Sequence, residues 1–427
     1  MQPRILLVTT CRWFATARLA IAFRDVGCHI EVVCPRQHPA SKTPAVRKLH
    51  TYRGLAPTQS IRTALIASRP DLVVPCDDFA TKCLHQVYDD ARVSGETAIE
   101  SLLERSLGNP AGFATVRSRA ATMALARELG VNVPETAVIQ SADALTQWTT
   151  RYGLPVVLKA DGTSGGRGVH VGTSAADALE ALQRLGAPPP ATRAIKRAVV
   201  NRDTNFLLPF IRRSHSVVNA QRFVAGRDAN ITIACWKGQV LASIPVSVEK
   251  TLDPNGPASV VRLVENSEML EAVTRIVSAL RLSGLAGFDF LIDEQTQAAY
   301  LIDVNPRATQ IGHLSLGPGR DLPAALRAAV TGESVRERPA VTTSDLIAFF
   351  PQEWMRDSGS SLLRSAHHDV PWDEPSLLQA GLSEPLVLAA WNDLSRRIGA
   401  VRAWLGGRPV AREWAASAHQ AGPPKPR

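Results

Sequence analysis

The pattern of apolar and polar positions changes period along the chain. Residues 5–8 are a continuous apolar run of strand length, and residues 15–26 repeat apolar side chains at helical spacing until Gly27 ends them. Residues 30–34 and 72–75 read as two further strands, the second running into Asp77-Asp78, where Asp77 suits a helix N-cap. Strands alternating with helices over roughly a hundred residues predict an open, largely parallel sheet. Its first strand–helix turn, Thr9-Thr10-Cys11-Arg12, has no GxGxxG, so a dinucleotide site is not supported.

Asn109-Pro110-Ala111-Gly112 is a turn-rich break and the first expected boundary. Beyond it the pattern predicts a helix over 117–129 closed by Gly130, an extended stretch to Pro134, a helix over 142–152 and a strand over 156–159. Ser174 and Asp177 form a capping box opening a helix to Leu185. Residues 217–246 read mostly as strand, with Lys237-Gly238 as a hairpin turn. Residues 268–282 read as an amphipathic helix with Met269, Leu270, Val273, Ile276, Val277 and Leu280 on one face. The composition changes after about Thr343, and residues 421–427 are expected to be disordered.

At 427 residues, two or three domains are expected rather than one core. No apolar run approaches the roughly 18–20 residues of a membrane span. The N-terminus runs straight into a strand rather than a signal peptide, so a cytoplasmic protein is expected, without membrane partners. Six scattered cysteines lack CxxC spacing, which argues against a zinc site or a disulfide framework. The net charge of +9 suits anionic nucleotides and carboxylates. No basic helix with interleaved aromatics points to nucleic acid.

Two segments carry the chemistry. In the first, a strand ending in Lys159 leads into a glycine-rich loop, Gly162 to Gly168, and a second strand. Glycines let the backbone approach phosphate oxygens, and a lysine at the end of an apolar strand calls for an anionic partner. The lysine precedes the glycines, so this is not a Walker A loop; a plain hairpin loop is the alternative. In the second, residues 285–293 and 300–307 read as a hairpin centred on Thr296. Asp289 then faces Asp303, Leu291 faces Leu301 and Gly287 faces Asn305, while Phe288–Val304, Phe290–Ile302 and Ile292–Tyr300 pair on an apolar face. Two carboxylates directly across a ladder repel, and a divalent cation such as Mg²⁺ resolves the repulsion, with the amide oxygen of Asn305 on the same side.

With these motifs, residues 117–330 resemble the ATP-grasp superfamily, in the style of its carbamoyl-phosphate synthase and biotin carboxylase branch. Lys159 and the glycines match its phosphate-gripping strand and loop. Asp303-Val-Asn305-Pro-Arg307 matches its acidic-x-Asn-x-Arg signature, with Asp289 as the upstream metal carboxylate. Aspartates stand where that branch usually has glutamates. The resemblance implies ATP and Mg²⁺ (with Mn²⁺ as a substitute) and a metal set of Asp289, Asp303 and Asn305. The implied nucleotide contacts are Arg119, Lys159, Gly165, Gly166, Gln221, Phe223 and Val224, the last two through backbone groups to adenine. Arg307, Lys159 and Arg262 are the implied catalytic residues, and Arg262 and Arg320 could equally be structural ion-pair formers. His313 is a weaker candidate, and His367-His368-Asp369 is rejected as a metal site for want of further ligands.

The implied fold is a mixed α/β and α+β multidomain chain. A Rossmann-like pre-ATP-grasp domain (1–108) is followed by a two-lobed ATP-grasp domain (109–342), a C-terminal extension (343–420) and the tail (421–427). The implied function is an ATP-dependent ligase that activates a carboxylate as an acyl phosphate for capture by an amine, releasing ADP and phosphate. A carbamoyl-phosphate-synthase-like or biotin-carboxylase-like carboxylating enzyme, and a non-catalytic ATP-binding regulator, are the alternatives. The partners would be small-molecule carboxylates and amines, and a homodimer is among the open oligomeric states.

Overall fold

The computed structural model describes residues 2–163, 166, 168–191, 205, 207–254 and 256–383. Near the N-terminus, β1 (Arg4–Val8), β2 (His29–Cys34), β3 (Val46–Thr51) and β4 (Leu72–Pro75) form a parallel sheet in the order β3-β2-β1-β4. Helix α1 (Phe14–Asp25) follows β1. Helices α2 (Pro57–Ser68), α3 (Asp78–Ser94) and α4 (Thr97–Leu107) share a core with Leu6, Val8, Val33 and Val73. β3 was not legible as a strand, because its Val-Arg-Lys-Leu-His-Thr run at the sheet edge is largely exposed and lacks an apolar alternation. Asp77 caps α3 as expected, accepting from Ala80 N–H at 2.8 Å.

The rest of the described chain builds two sheets, antiparallel throughout except at the β14–β15 edge of the larger. The smaller contains β5 (Thr136–Val138), β6 (Val156–Ala160), β7 (Val169–Gly172) and β8 (Val218–Arg222), in the order β5-β8-β6-β7. The helices Ala142–Tyr152 and Ala175–Gly186 cover it, and Trp148, Leu158, Ala181 and Ala220 meet in its core. Ser174 accepts from Asp177 N–H, the first half of the expected capping box.

The larger sheet contains β9 (Gly226–Trp236), β10 (Gln239–Thr251), β11 (Ala258–Leu263), β12 (Gly284–Asp293), β13 (Ala299–Asn305), β14 (Leu346–Phe349) and β15 (His367–Asp369). Their order is β13-β12-β9-β10-β11-β14-β15, so residues beyond 343 prolong this sheet by two strands. β9 and β10 turn at Lys237-Gly238, both at positive φ. The helices Arg119–Glu128 and Ser267–Leu280 bury Met123, Ala126, Met269, Val273 and Val277 against Ile231, Ile233, Phe288 and Phe290. Leu270, expected on the buried face, is 39% exposed. Residues 384–427, including the expected tail, lie outside the described residues.

Candidate active site

The β12–β13 hairpin sets Asp289 directly opposite Asp303 and Gly287 opposite Asn305. Past the acids the pairing departs from the expected register. Phe290 pairs with Leu301, Leu291 with Tyr300 and Ile292 with Ala299, leaving Ile302 as one extra residue in β13. The bulge sends Ala299 and Leu301 into the core, rather than Tyr300 and Ile302, while keeping Asp303 on the side of Asp289. At the bulge, the carbonyl of Ile302 accepts from Lys159 Nζ, which reaches across from the smaller sheet, at 3.1 Å.

The two carboxylates live in different surroundings. Asp289 accepts from Asn230 Nδ2 at 2.5 Å and Asn305 Nδ2 at 2.8 Å. Burial and the charge of Asp303 nevertheless push its carboxyl above the ordinary range. Burial also works to raise Asp303, but Arg119 and Lys159 more than offset it and leave it below that range. Lys159, only 6% exposed, is pulled down to about 8 by burial, against the raising charges of Asp303, Asp289 and Asp228.

Arg119, in the first turn of its helix, lies between the two sheets. Its guanidinium donates to Asp303 at 3.0 Å, to the Ala160 carbonyl at 2.6 Å, and to Asp161 and the Thr163 carbonyl at 3.3 Å each. Arg307 is held on three sides: by Asp78 of α3 at 2.9 Å, by Asn305 Oδ1 at 2.9 Å and by the Ala308 carbonyl at 3.1 Å. Its guanidinium carbon stands 6.0 Å from the centre of the Trp13 ring. Gly162 and Gly166 both adopt positive φ, as a loop folding its N–H groups inward requires. Gly165 lies outside the described residues.

Gln221 is buried in β8 and donates to Thr136 Oγ1 at 3.1 Å. Phe223 and Val224 follow in the extended link between β8 and β9, Phe223 with 40% of its surface open. Arg262 does not join this group. The register Arg262–Ser247–Ala229–Phe290 puts it on the opposite face of the sheet from Asp289 and three strands away, roughly 14 Å at normal spacing. There it pairs with Glu249 at 3.0 Å and Asp345 at 2.6 Å, an exposed structural contact. Arg320 pairs with Glu265. His313 is buried between the Gln310 carbonyl and Asp369, which also takes Arg18. Among the described residues no cluster of three or more His, Cys, Asp or Glu side chains stands ready for a metal.

Several residues of the site were missed. Asp228, Asn230 and Thr232 alternate with the buried Ala229, Ile231 and Ile233 along β9, so a polar face was there to be read. Asp161, two residues after Lys159, accepts from Asn219 Nδ2 at 2.9 Å, and burial pushes it above its usual range. Asp78, next to the expected cap, gave no sequence signal for Arg307, 229 residues away.

Residues 118–315 match the family described as "Carbamoyl-phosphate synthase L chain, ATP binding domain". The arginine-specific carbamoyl phosphate synthase large chain of Lactiplantibacillus plantarum is 23% identical over 314 residues, covering 71% of this chain and 28% of that one. Its counterpart from Geobacillus stearothermophilus is 23% identical over 229 residues, 51% of this chain and 19% of that one. The chain thus spans less than a third of the length of these curated relatives. Among solved structures, the carboxyaminoimidazole ribonucleotide synthase of Aspergillus clavatus complexed with ATP superposes with a TM-score of 0.56 at 16% identity, covering 79% of this chain and 80% of that one. The biotin carboxylase domain of Hydrogenobacter thermophilus 2-oxoglutarate carboxylase gives 0.55 at 13% identity, over 79% and 71%. With its two sheets facing each other across Lys159 and the Asp289–Asp303 pair, the chain matches, over residues 118–315, the ATP-grasp domain of the carbamoyl-phosphate synthase large chain.

Proposed function

We propose that the chain is an ADP-forming ligase that activates a carboxylate as an acyl phosphate for capture by an amine or similar nucleophile. One observation carries this reading. Lys159 from one sheet, the Asp289–Asp303 pair from the other and Arg119 between them bring two cations and two carboxylates to a single cleft. Two half-buried carboxylates facing each other, one of them pushed up by its desolvation and by the other's charge, form an oxygen donor set that fits Mg²⁺. Asn305 can contribute its amide oxygen while still accepting from Arg307, because a carbonyl has two lone pairs. When bound, Mg²⁺ would neutralise charge on the phosphates of ATP.

The chain's own residues then position and neutralise. Lys159 and Arg119 face the phosphates, the loop at Gly162 and Gly166 offers backbone N–H groups, and Phe223 and Val224 present backbone to the adenine. Gln221 stays a buried support of that link. Arg307, fixed by Asp78, holds the carboxylate whose oxygen attacks the γ-phosphorus. That O–P bond forms as the bond to ADP breaks. The amine's lone pair next attacks the acyl carbon, phosphate leaves, and the amine proton goes to solvent. Removing one preorganised contact of this kind costs on the order of 10²–10³ in rate.

In this reading residues 1–108 are a Rossmann-like domain preceding the two ATP-grasp lobes of 109–342. Residues from 343 onward are an extension whose first strands lengthen the larger sheet. The substrates are small molecules, and free cysteines throughout suit a reducing cytoplasm. Pools of carboxylates combined with pools of amines, incubated with Mg-ATP, are screened for phosphate release. At least one combination gives turnover, and Asp303→Ala abolishes it with the far-UV circular dichroism unchanged. Full activity in Asp303→Ala sinks the metal assignment. Inert pools with a melting temperature still raised by ATP would identify a nucleotide-binding protein without turnover.

A further inference from the structure

The carboxyl ends of β1 and β2 gather polar groups that the nucleotide site does not use. Arg12, in the loop after β1, is half-buried, and its Nε is enclosed without an acceptor. His38, in the loop after β2, is 1% exposed. Its Nδ1 accepts from Ala40 N–H at 3.0 Å, which puts the ring proton on Nε2, on the side of the Trp13 backbone. The ring lies beside Arg12 and the Trp13 backbone. Gln310 Nε2 is likewise enclosed without an acceptor, in a short 3-10 turn packed against α1. Helix α1 itself opens at Trp13 without a side-chain cap.

A buried donor left unpaired is costly, and Arg12 Nε, enclosed in the loop after β1, calls for an acceptor that the described residues do not supply. The nearby carboxylates are engaged elsewhere. Asp77 takes Thr9, Thr10 and Ala80, and Asp78 takes Arg307. The loop also adjoins the reacting centre, because the Trp13 ring lies against Arg307 and Arg307 donates to Asn305. Open parallel sheets bind ligands at this end of their strands.

We propose that this loop seats a second anionic group of the carboxylate substrate, with Arg12 as the residue that holds it and Arg307 facing the carboxylate that reacts. The substrate class is a molecule with two anionic groups, either a dicarboxylate or a phosphorylated carboxylate. The proposal rests on the ligase reading above and adds the charge of the substrate to it.

The test uses the full chain saturated with MgADP and titrated calorimetrically with two probes, succinate and inorganic phosphate. The wild-type protein binds at least one probe, and Arg12→Gln weakens that binding by roughly 10- to 100-fold, the worth of a charge-assisted hydrogen bond. Arg12→Lys keeps part of it, which separates charge from loop packing. A succinate response selects the dicarboxylate, and a phosphate response selects the phosphorylated substrate. No binding of either probe, or binding that Arg12→Gln leaves unchanged, overturns the proposal; the second result would put the anion on Arg307 alone. MgADP affinity is measured on the same samples. Its absence in the wild type would defeat the ATP reading instead, and its retention in Arg12→Gln shows that the fold is intact.

Discussion

Lys159 gives the sharpest test of the cleft, because its ammonium is buried. Replacement by Met keeps the length of the side chain and removes the charge. The depression of its pKa from 10.5 to about 8 corresponds to about 3 kcal/mol against the charged form in the folded state. The substitution also forfeits the hydrogen bond to the Ile302 carbonyl, a loss of about 1 kcal/mol. At pH 7 the Lys159→Met protein is therefore more stable than wild type by about 2 kcal/mol in urea unfolding. The sign follows from linkage. Between about 8 and 10.5 the unfolded chain holds a proton on Lys159 that the folded chain has released, so wild-type stability climbs with pH over that window. The advantage of Lys159→Met is full below pH 8 and vanishes as the pH approaches 10.5. Ligand binding moves the other way. Saturating MgADP stabilises the wild type by about 2.7 kcal/mol at a hundredfold excess over its dissociation constant, and most of this is lost in the variant. A variant less stable than wild type at pH 7, or a gap that does not change with pH, refutes the buried-ammonium argument.

Gly287→Ala puts a Cβ 2.3 Å from Thr309 Cγ2 and costs about 1–3 kcal/mol of stability; Thr309→Ser in the same chain removes that methyl and restores most of it, as denaturation midpoints will show. Asp369→Ala leaves Arg18 and His313 without their shared partner and costs about 3–5 kcal/mol by the same measurement. Burial alone would raise Asp369, yet the charges of His313 and Arg18 hold it at about 2, below the ordinary 3.8. Its contribution is therefore complete above pH 3.8 and lost as the pH falls towards 2, so Asp369→Asn flattens the acid limb of a stability–pH curve in that window.

The acid hairpin was readable because its own alternation fixes which side chains share a face. The pairing Gly287–Asn305, Phe288–Val304 and Asp289–Asp303 is the one that alternation demands. It failed at Ile302, since an extra residue is chosen by what the sheet must reach, here Lys159, and leaves no mark in hydrophobic period. The helix 142–152 and the turn at Lys237-Gly238 were local and came through intact. β3 was illegible because edge strands carry polar side chains on both faces. Arg262 and Arg307 show the other limit. Both were implied as catalytic residues, and only sheet order separated the one beside the acids from the one on the opposite face.

The bulge at Ile302 and the pairing of Arg119 with Asp303 mean that the cleft carries its own placeholders. A lysine of one lobe rests on a carbonyl of the other, and an arginine occupies the carboxylate that a metal would claim. In the proposed reading an incoming nucleotide competes with both, so its apparent affinity is the intrinsic one reduced by the strength of these internal contacts. The same contacts re-form as the product departs. Strengthening them would speed release and weaken capture, and removing them would do the reverse. Turnover in this reading can therefore be tuned by the contacts these residues make within the protein as well as by those they make with the ligand.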